Sequence, residues 1–143
     1  MGAYRTVVVG TDGSDSSMRA VEKAAQIAGD DAKLIVASAY LPQHEDARAA
    51  DALRDESYKV SGTAPIYAIL RDARERAHAA GAKNIDERPI VGAPVDALVH
   101  LAEEERADLL VVGNVGLSTI AGRLLGSVPA NVSRRAKTDV LIV

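Results

Sequence analysis

RTVVVG at Arg5–Gly10 and DLLVVG at Asp108–Gly113 are two short runs of β-branched and aliphatic residues, each closed by a glycine, with no polar residue alternating into the apolar stretch. A strand with one wet face carries polar residues at every second position, so uninterrupted runs of strand length belong to strands covered on both faces. Both are expected at the centre of a sheet. After the first, the turn TDGSDSS offers Ser and Asp side chains suited to capping. Met18, Val21, Ala24, Ala25 and Ala28 then recur at helical spacing within a segment from Ser14 to Ala28. A second apolar run, Leu34 to Ala39, completes a strand, helix, strand unit.

The same alternation continues. Pro65 opens a helix that runs to about Ala80 and stops at Gly81. Ile85 to Val91 reads as a third strand, and its Asp86, Glu87 and Arg88 suit an exposed sheet edge. Pro94 begins a helix with Val95, Leu98, Val99 and Ala102 on one face. DLLVVG follows as the fourth strand, then a helix from Ser127 to about Arg135, and a last strand from Asp139 to Val143. Strands alternating with helices imply an α/β fold with a doubly wound parallel sheet, and right-handed crossovers put helices on both of its faces. Leu41 to Thr63 interrupts the pattern with a polar, partly acidic stretch. A connection of that length suggests a functional loop or lid, with a helix around Asp46 to Val60 as one reading of part of it.

Composition bounds the function. At 143 residues, 48% hydrophobic and 26% charged, residues 1–143 make one domain with a single core. A formal net charge of −3 without a basic patch argues against a nucleic-acid partner. The apolar runs fall far short of a bilayer span, so no membrane partner is expected. Met1 to Arg5 lacks the apolar core of a signal peptide, and the expected location is cytoplasmic. The absence of cysteine removes disulfides, thiolate metal sites and cysteine nucleophiles. With four Tyr as the only aromatics, Val, Leu, Ile and Ala must fill the core.

In an open parallel sheet, ligands sit outside the carboxyl ends of the strands, where the strand order reverses. Each of the two buried-looking strands ends in glycine and a polar turn: Gly10 before Thr11-Asp12-Gly13-Ser14, and Gly113 before Asn114-Val115-Gly116. If the strands are neighbours, both turns open into one crevice. The second also forms the pattern G-x2-G-x9-G-S through Gly113, Gly116, Gly126 and Ser127. Glycines let a backbone approach phosphate oxygens closely, and Gly126-Ser127 opens a helix whose free N–H groups and dipole favour an anion. An ordinary strand exit followed by a helix cap is the competing explanation.

VVVGTDGSDSS at the start, VGAP at Val91–Pro94, DLLVVGNVG at Asp108–Gly116, LLGSV at Leu124–Val128 and the closing DVLIV resemble the universal stress protein family, over nearly the whole chain. G-x2-G-x9-G-[ST] is the pattern of that family's nucleotide-binding branch. The resemblance implies a Rossmann-like, five-stranded sheet in order 3-2-1-4-5, a homodimer, and an adenine nucleotide as ligand, whether ATP, AMP or cAMP, with Mg²⁺ possible beside ATP. It also implies adenine and ribose contacts at Gly10, Thr11, Asp12 and Ala39, and phosphate contacts at Gly113, Asn114, Val115, Gly116, Gly126, Ser127 and Val128. Family members often carry His or Arg within or just after G-x2-G, whereas Gly113 to Thr119 here is uncharged. Arg123 is the nearest cation in sequence. A triphosphate tail ordinarily needs Lys, Arg or Mg²⁺, so a monophosphate or cyclic form is expected to bind at least as tightly as ATP.

Other readings remain beside this one. Asp12 suits either a nucleoside or Mg²⁺ contact or the organisation of its own turn. Asp15 and Ser14 suit helix capping better than catalysis. His44, His78 and His100 show no metal-ligand spacing and read as surface residues, and no metal site is expected. TDGSDS is similar to the SGGxDS loop of adenylating ATP pyrophosphatases, which keeps a weak ATPase or adenylating enzyme as an alternative. A structural dimer without ligand is a second. No nucleophile and base can be paired, so no catalytic residue is expected. The apolar last strand, Val140 to Val143, is expected to pair with a second copy, which would cover an exposed edge.

Overall fold

The structure, a computed structural model, describes residues 4–40, 64–113 and 136–143. Its elements are β1 (Thr6–Gly10), α1 (Asp15–Ala28), β2 (Lys33–Tyr40), α2 (Ala64–Ala79), β3 (Asn84–Val91), α3 (Pro94–Glu104), β4 (Leu109–Val112) and β5 (Asp139–Ile142). The five strands form one parallel sheet in the order β3-β2-β1-β4-β5. The expected strand order and edge position of β3 are both present. The expected helices within 46–60 and 127–135 lie outside the described residues.

The uninterrupted apolar strands are explained by what covers them. Side chains alternate across a strand, so Val7 and Val9 point to one face and Val8 to the other. All three are fully buried. Val7, Val9, Leu34, Val36, Leu109 and Val111 share a core with Met18, Val21 and Ala24 of α1 and Leu70, Ala73 and Ala77 of α2. Val8, Ile35, Ala37, Leu110 and Val112 pack instead with Leu98, Leu101 and Ala102 of α3. The two layers follow from chain direction. Successive right-handed crossovers outward from β1 to β2 to β3 leave α1 and α2 on one face, and the return to β4 carries α3 over the other.

Alanine dominates the buried side of α1, at positions 20, 24, 25 and 28, and brings the helix close to the sheet without aromatic filling. The helix starts at Ser14, whose hydroxyl accepts the Ser17 N–H at 3.3 Å. This is the expected cap. Helix α3 buries Ala97 and Leu101 as well as Leu98, Val99 and Ala102, while Val95 is only partly covered.

Polar ties fasten the amino-terminal end of the sheet. The Asp108 carboxylate accepts the backbone N–H groups of Arg5 at 2.8 Å and Thr6 at 3.0 Å. These bonds hold its carboxyl below the usual carboxylate range. Tyr4 donates to Asp139 at 3.0 Å, linking the chain before β1 to β5. Arg88 of β3 pairs with Glu105 at 2.8 Å, just beyond α3, and lowers the pKa of that carboxyl.

Candidate functional site

At the carboxyl end of the sheet, the order reverses between β1, which continues towards β2, and β4, which is reached only after β3. Val9 pairs with Val111. The next residues of the two strands therefore leave the sheet side by side, with Thr11-Asp12-Gly13-Ser14 after β1 and Gly113 after β4. A β-carbon built on Gly113 would stand 2.9 Å from Ser16 Oγ and 3.1 Å from the Ser16 carbonyl oxygen. The exit of β4 thus touches the first turn of α1, while the rest of the loop after Gly113, from Asn114, lies outside the described residues.

The first loop is built on a dense set of hydrogen bonds. Thr11 N–H donates to the Ala37 carbonyl at 2.9 Å, extending the β1–β2 ladder by one residue. Thr11 and Ser17 are buried, and their hydroxyl oxygens lie 2.7 Å apart. Thr11 Oγ1 accepts the Gly13 N–H at 3.1 Å. Asp12 Oδ1 accepts the Ser14 N–H at 2.9 Å and the Ser17 hydroxyl at 3.0 Å. The turn-organising role expected of Asp12 is therefore present at this one oxygen. Gly13 has φ of +89°, a backbone state that glycine adopts without a side-chain penalty. Its exposed backbone passes over Ile69 of α2, whose Cγ1 lies 3.2 Å from a β-carbon built there.

Among the residues expected to contact a ligand, Gly10, Thr11, Asp12 and Gly113 are gathered at this end of the sheet. Ala39 joins them from β2. Ala37 pairs with Gly10, so Ala39 stands two residues further along and is half-buried. Asn114, Val115, Gly116, Arg123, Gly126, Ser127 and Val128 lie outside the described residues. Gly10 has a packing role that the sequence reading did not include: a β-carbon there would meet Leu98 Cδ1 at 2.6 Å. The Thr11 hydroxyl is engaged within the loop. Ser17 was passed over because a serine in the first turn of a helix has many ordinary uses. The signal available was the concentration of four hydroxyl residues in TDGSDSS.

The crevice offers what a polar anionic ligand needs in part: backbone close to the surface, a half-buried carboxylate as acceptor, and helix α1 starting beside it. No group of three or more His, Asp or Glu among the described residues is placed to hold a metal ion. His78 and His100 are exposed on α2 and α3, as expected, and His44 lies outside the described residues. At the opposite end of the sheet, a shallow depression of about 370 Å³ is lined by Tyr4, Ala107, Asp108, Lys137, Thr138 and Asp139. Its Tyr4, Asp108 and Asp139 groups serve the strand ties already described, with Thr138 adding a 2.9 Å bond from its hydroxyl to the Ala107 carbonyl.

Comparison with known proteins matches the geometry. Universal stress protein Rv1636 of Mycobacterium tuberculosis strain H37Rv is 87% identical over 143 residues, spanning all of this chain and 98% of the relative. A crystal structure of a universal stress protein in complex with cAMP has 76% sequence identity and a TM-score of 0.77, covering 99% of this chain and 98% of the other. The fold extends to a universal stress protein family protein from Arabidopsis thaliana with AMP bound. That structure shows 21% identity and a TM-score of 0.70, covering 97% of this chain and 90% of the other. The sequence model described as Universal stress protein family matches residues 3–143. On its motifs, its strand order and this near-complete match, the chain belongs to the universal stress protein family.

Proposed function

We propose that this chain is an adenine-nucleotide-binding module that regulates, senses or buffers, and that it binds its ligand without turning it over. The observation that carries this reading is the contact between Gly113 and Ser16, which brings the exit of β4 against the start of α1 at the point where the strand order reverses. The cAMP bound to a universal stress protein 76% identical to this chain supports the ligand class. Adenine and ribose lie against Gly10, Thr11, Asp12 and Ala39. The phosphate falls to Gly113, Asn114, Val115, Gly116, Gly126, Ser127 and Val128.

AMP or cAMP binds at least as tightly as ATP, because Gly113 to Gly122 supplies no cation for a triphosphate tail. ATP then leans on Mg²⁺ or Arg123. The working form is a cytoplasmic homodimer joined through β5. That strand ends the sheet and leaves Ile142 43% exposed, a surface that a second copy would cover.

Titration calorimetry with ATP, AMP and cAMP in one metal-free buffer tests the ligand. ATP binding more than about tenfold tighter than both others would overturn the preference, and no heat with any of the three would reject the nucleotide reading itself. Sedimentation at micromolar concentration tests the dimer, which a purely monomeric profile rejects.

A further inference from the structure

The carboxylate of Asp12 is held at one oxygen only. Oδ1 accepts the Ser14 N–H and the Ser17 hydroxyl, while Oδ2 has no hydrogen-bond partner among the described residues. Ser17 Oγ lies equally near the Ser14 carbonyl, at 3.0 Å, but that oxygen is neutral and already accepts the Met18 N–H at 2.9 Å. The charged carboxylate, which can only accept, therefore takes the one proton that Ser17 has to give. In the 2.7 Å contact between Thr11 and Ser17, Thr11 must then be the donor.

The directions join into a line: Gly13 N–H to Thr11, Thr11 O–H to Ser17, Ser17 O–H to Asp12, with the Asp12 N–H at 3.3 Å and the Ser14 hydroxyl at 3.2 Å as further, longer donors to Ser17 Oγ. Thr11 is 1% exposed and Ser17 fully buried, so water does not compete for the two hydroxyl bonds and each polarises the next. The line starts at backbone and ends at the half-buried side chain of Asp12.

We propose that Ser17 is the positioning residue of the nucleotide site. From inside the first turn of α1 it fixes Oδ1 of Asp12, so that Oδ2 is presented as a preset acceptor for a ligand O–H or N–H. This rests on the adenine-nucleotide reading above, whose ligands carry such donors in their ribose hydroxyls and adenine amino group. Fixing the carboxylate before the ligand arrives removes its rotational freedom from the binding step. Ser17 itself does not touch the ligand.

The test is a double-mutant cycle read by calorimetry with AMP on wild type, Ser17→Ala, Asp12→Ala and the double variant. Ser17→Ala is expected to weaken AMP about tenfold, and Asp12→Ala at least as much. Added to Asp12→Ala, the Ser17 change is expected to cost less than about twofold, because its short bond to Asp12 goes to the missing carboxylate and only the longer 3.3 Å contact with the Asp12 N–H remains. Fully additive losses, or unchanged affinity in folded Ser17→Ala, would overturn the proposal. Ser17→Cys keeps the packing with a weaker donor and provides the measurement if the alanine variant does not fold. Its affinity should fall between wild type and Asp12→Ala, and wild-type affinity would again overturn the positioning role. Failure of the wild-type protein to bind AMP, cAMP or ATP would instead reject the nucleotide reading on which the proposal rests.

Discussion

Gly113 lies against Ser16 so closely that any side chain on it must displace the first turn of α1, including the Ser16 backbone, 3.1 Å from where a β-carbon would stand. Gly113→Ala is therefore expected to destabilise the fold by about 1–3 kcal/mol through overpacking. Urea unfolding checks this, and an unchanged midpoint would show that Gly113 and Ser16 are further apart. The same closeness makes Gly113 a poor position for testing ligand contact alone, because a variant there alters packing and crevice together.

Gly10 is constrained from the other face of the sheet. Gly10→Ala is expected to cost about 1–3 kcal/mol, since its β-carbon would press on Leu98 Cδ1 within a full core. Leu98→Ala alone should cost about 2–5 kcal/mol as a cavity. The two together should lose less than the sum, because each change relieves the other. Additive losses in denaturant titrations would place the origin of the Gly10 effect elsewhere.

The helix cap gives a smaller effect. Ser14→Ala removes the acceptor for the Ser17 N–H and is expected to lower stability by about 1 kcal/mol, with no change in the slope of the denaturant curve. A drop above about 3 kcal/mol would mean that Ser14 carries more than a cap.

Acid sensitivity should trace in part to Asp108. The amide groups of Arg5 and Thr6 favour its charged form, so its folded pKa lies below its unfolded value. The stabilisation is fully present above the unfolded pKa and is lost as pH falls through the folded one. Asp108→Asn should then lower stability at neutral pH by about 1 kcal/mol and flatten the decline on the acid side. Parallel pH profiles for the two proteins would assign the acid limb to other groups.

How much of this was legible follows from the range of each interaction. β1 and β4 announced themselves because a strand covered on both faces has no polar alternation to hide its length. β3 gave itself away by Asp86, Glu87 and Arg88, which only an edge tolerates. The capping of α1 by Ser14 is local and was readable from TDGSDSS. The grip of Asp108 on Arg5 and Thr6 was not, because it joins residues about a hundred positions apart. Nor was the reason for Gly10, which depends on Leu98 arriving from α3. Ser17 was missed for a third reason: its importance lies in three neighbours, Thr11, Asp12 and Ser14, converging on one small hydroxyl, and no spacing rule records convergence.

The central place of β1 has a consequence for biosynthesis. Its partner β2 follows at once, with Val7 opposite Leu34, but its other partner is β4, with Val7 opposite Leu109. As the chain leaves the ribosome, one edge of this apolar strand waits for about a hundred further residues before it is paired. During that interval the edge is free to pair with a neighbouring nascent chain. The hazard should be greatest on crowded polysomes and should fall when translation is spaced out. Slow initiation is therefore expected to raise the soluble yield of this protein more than lowering the temperature after synthesis does.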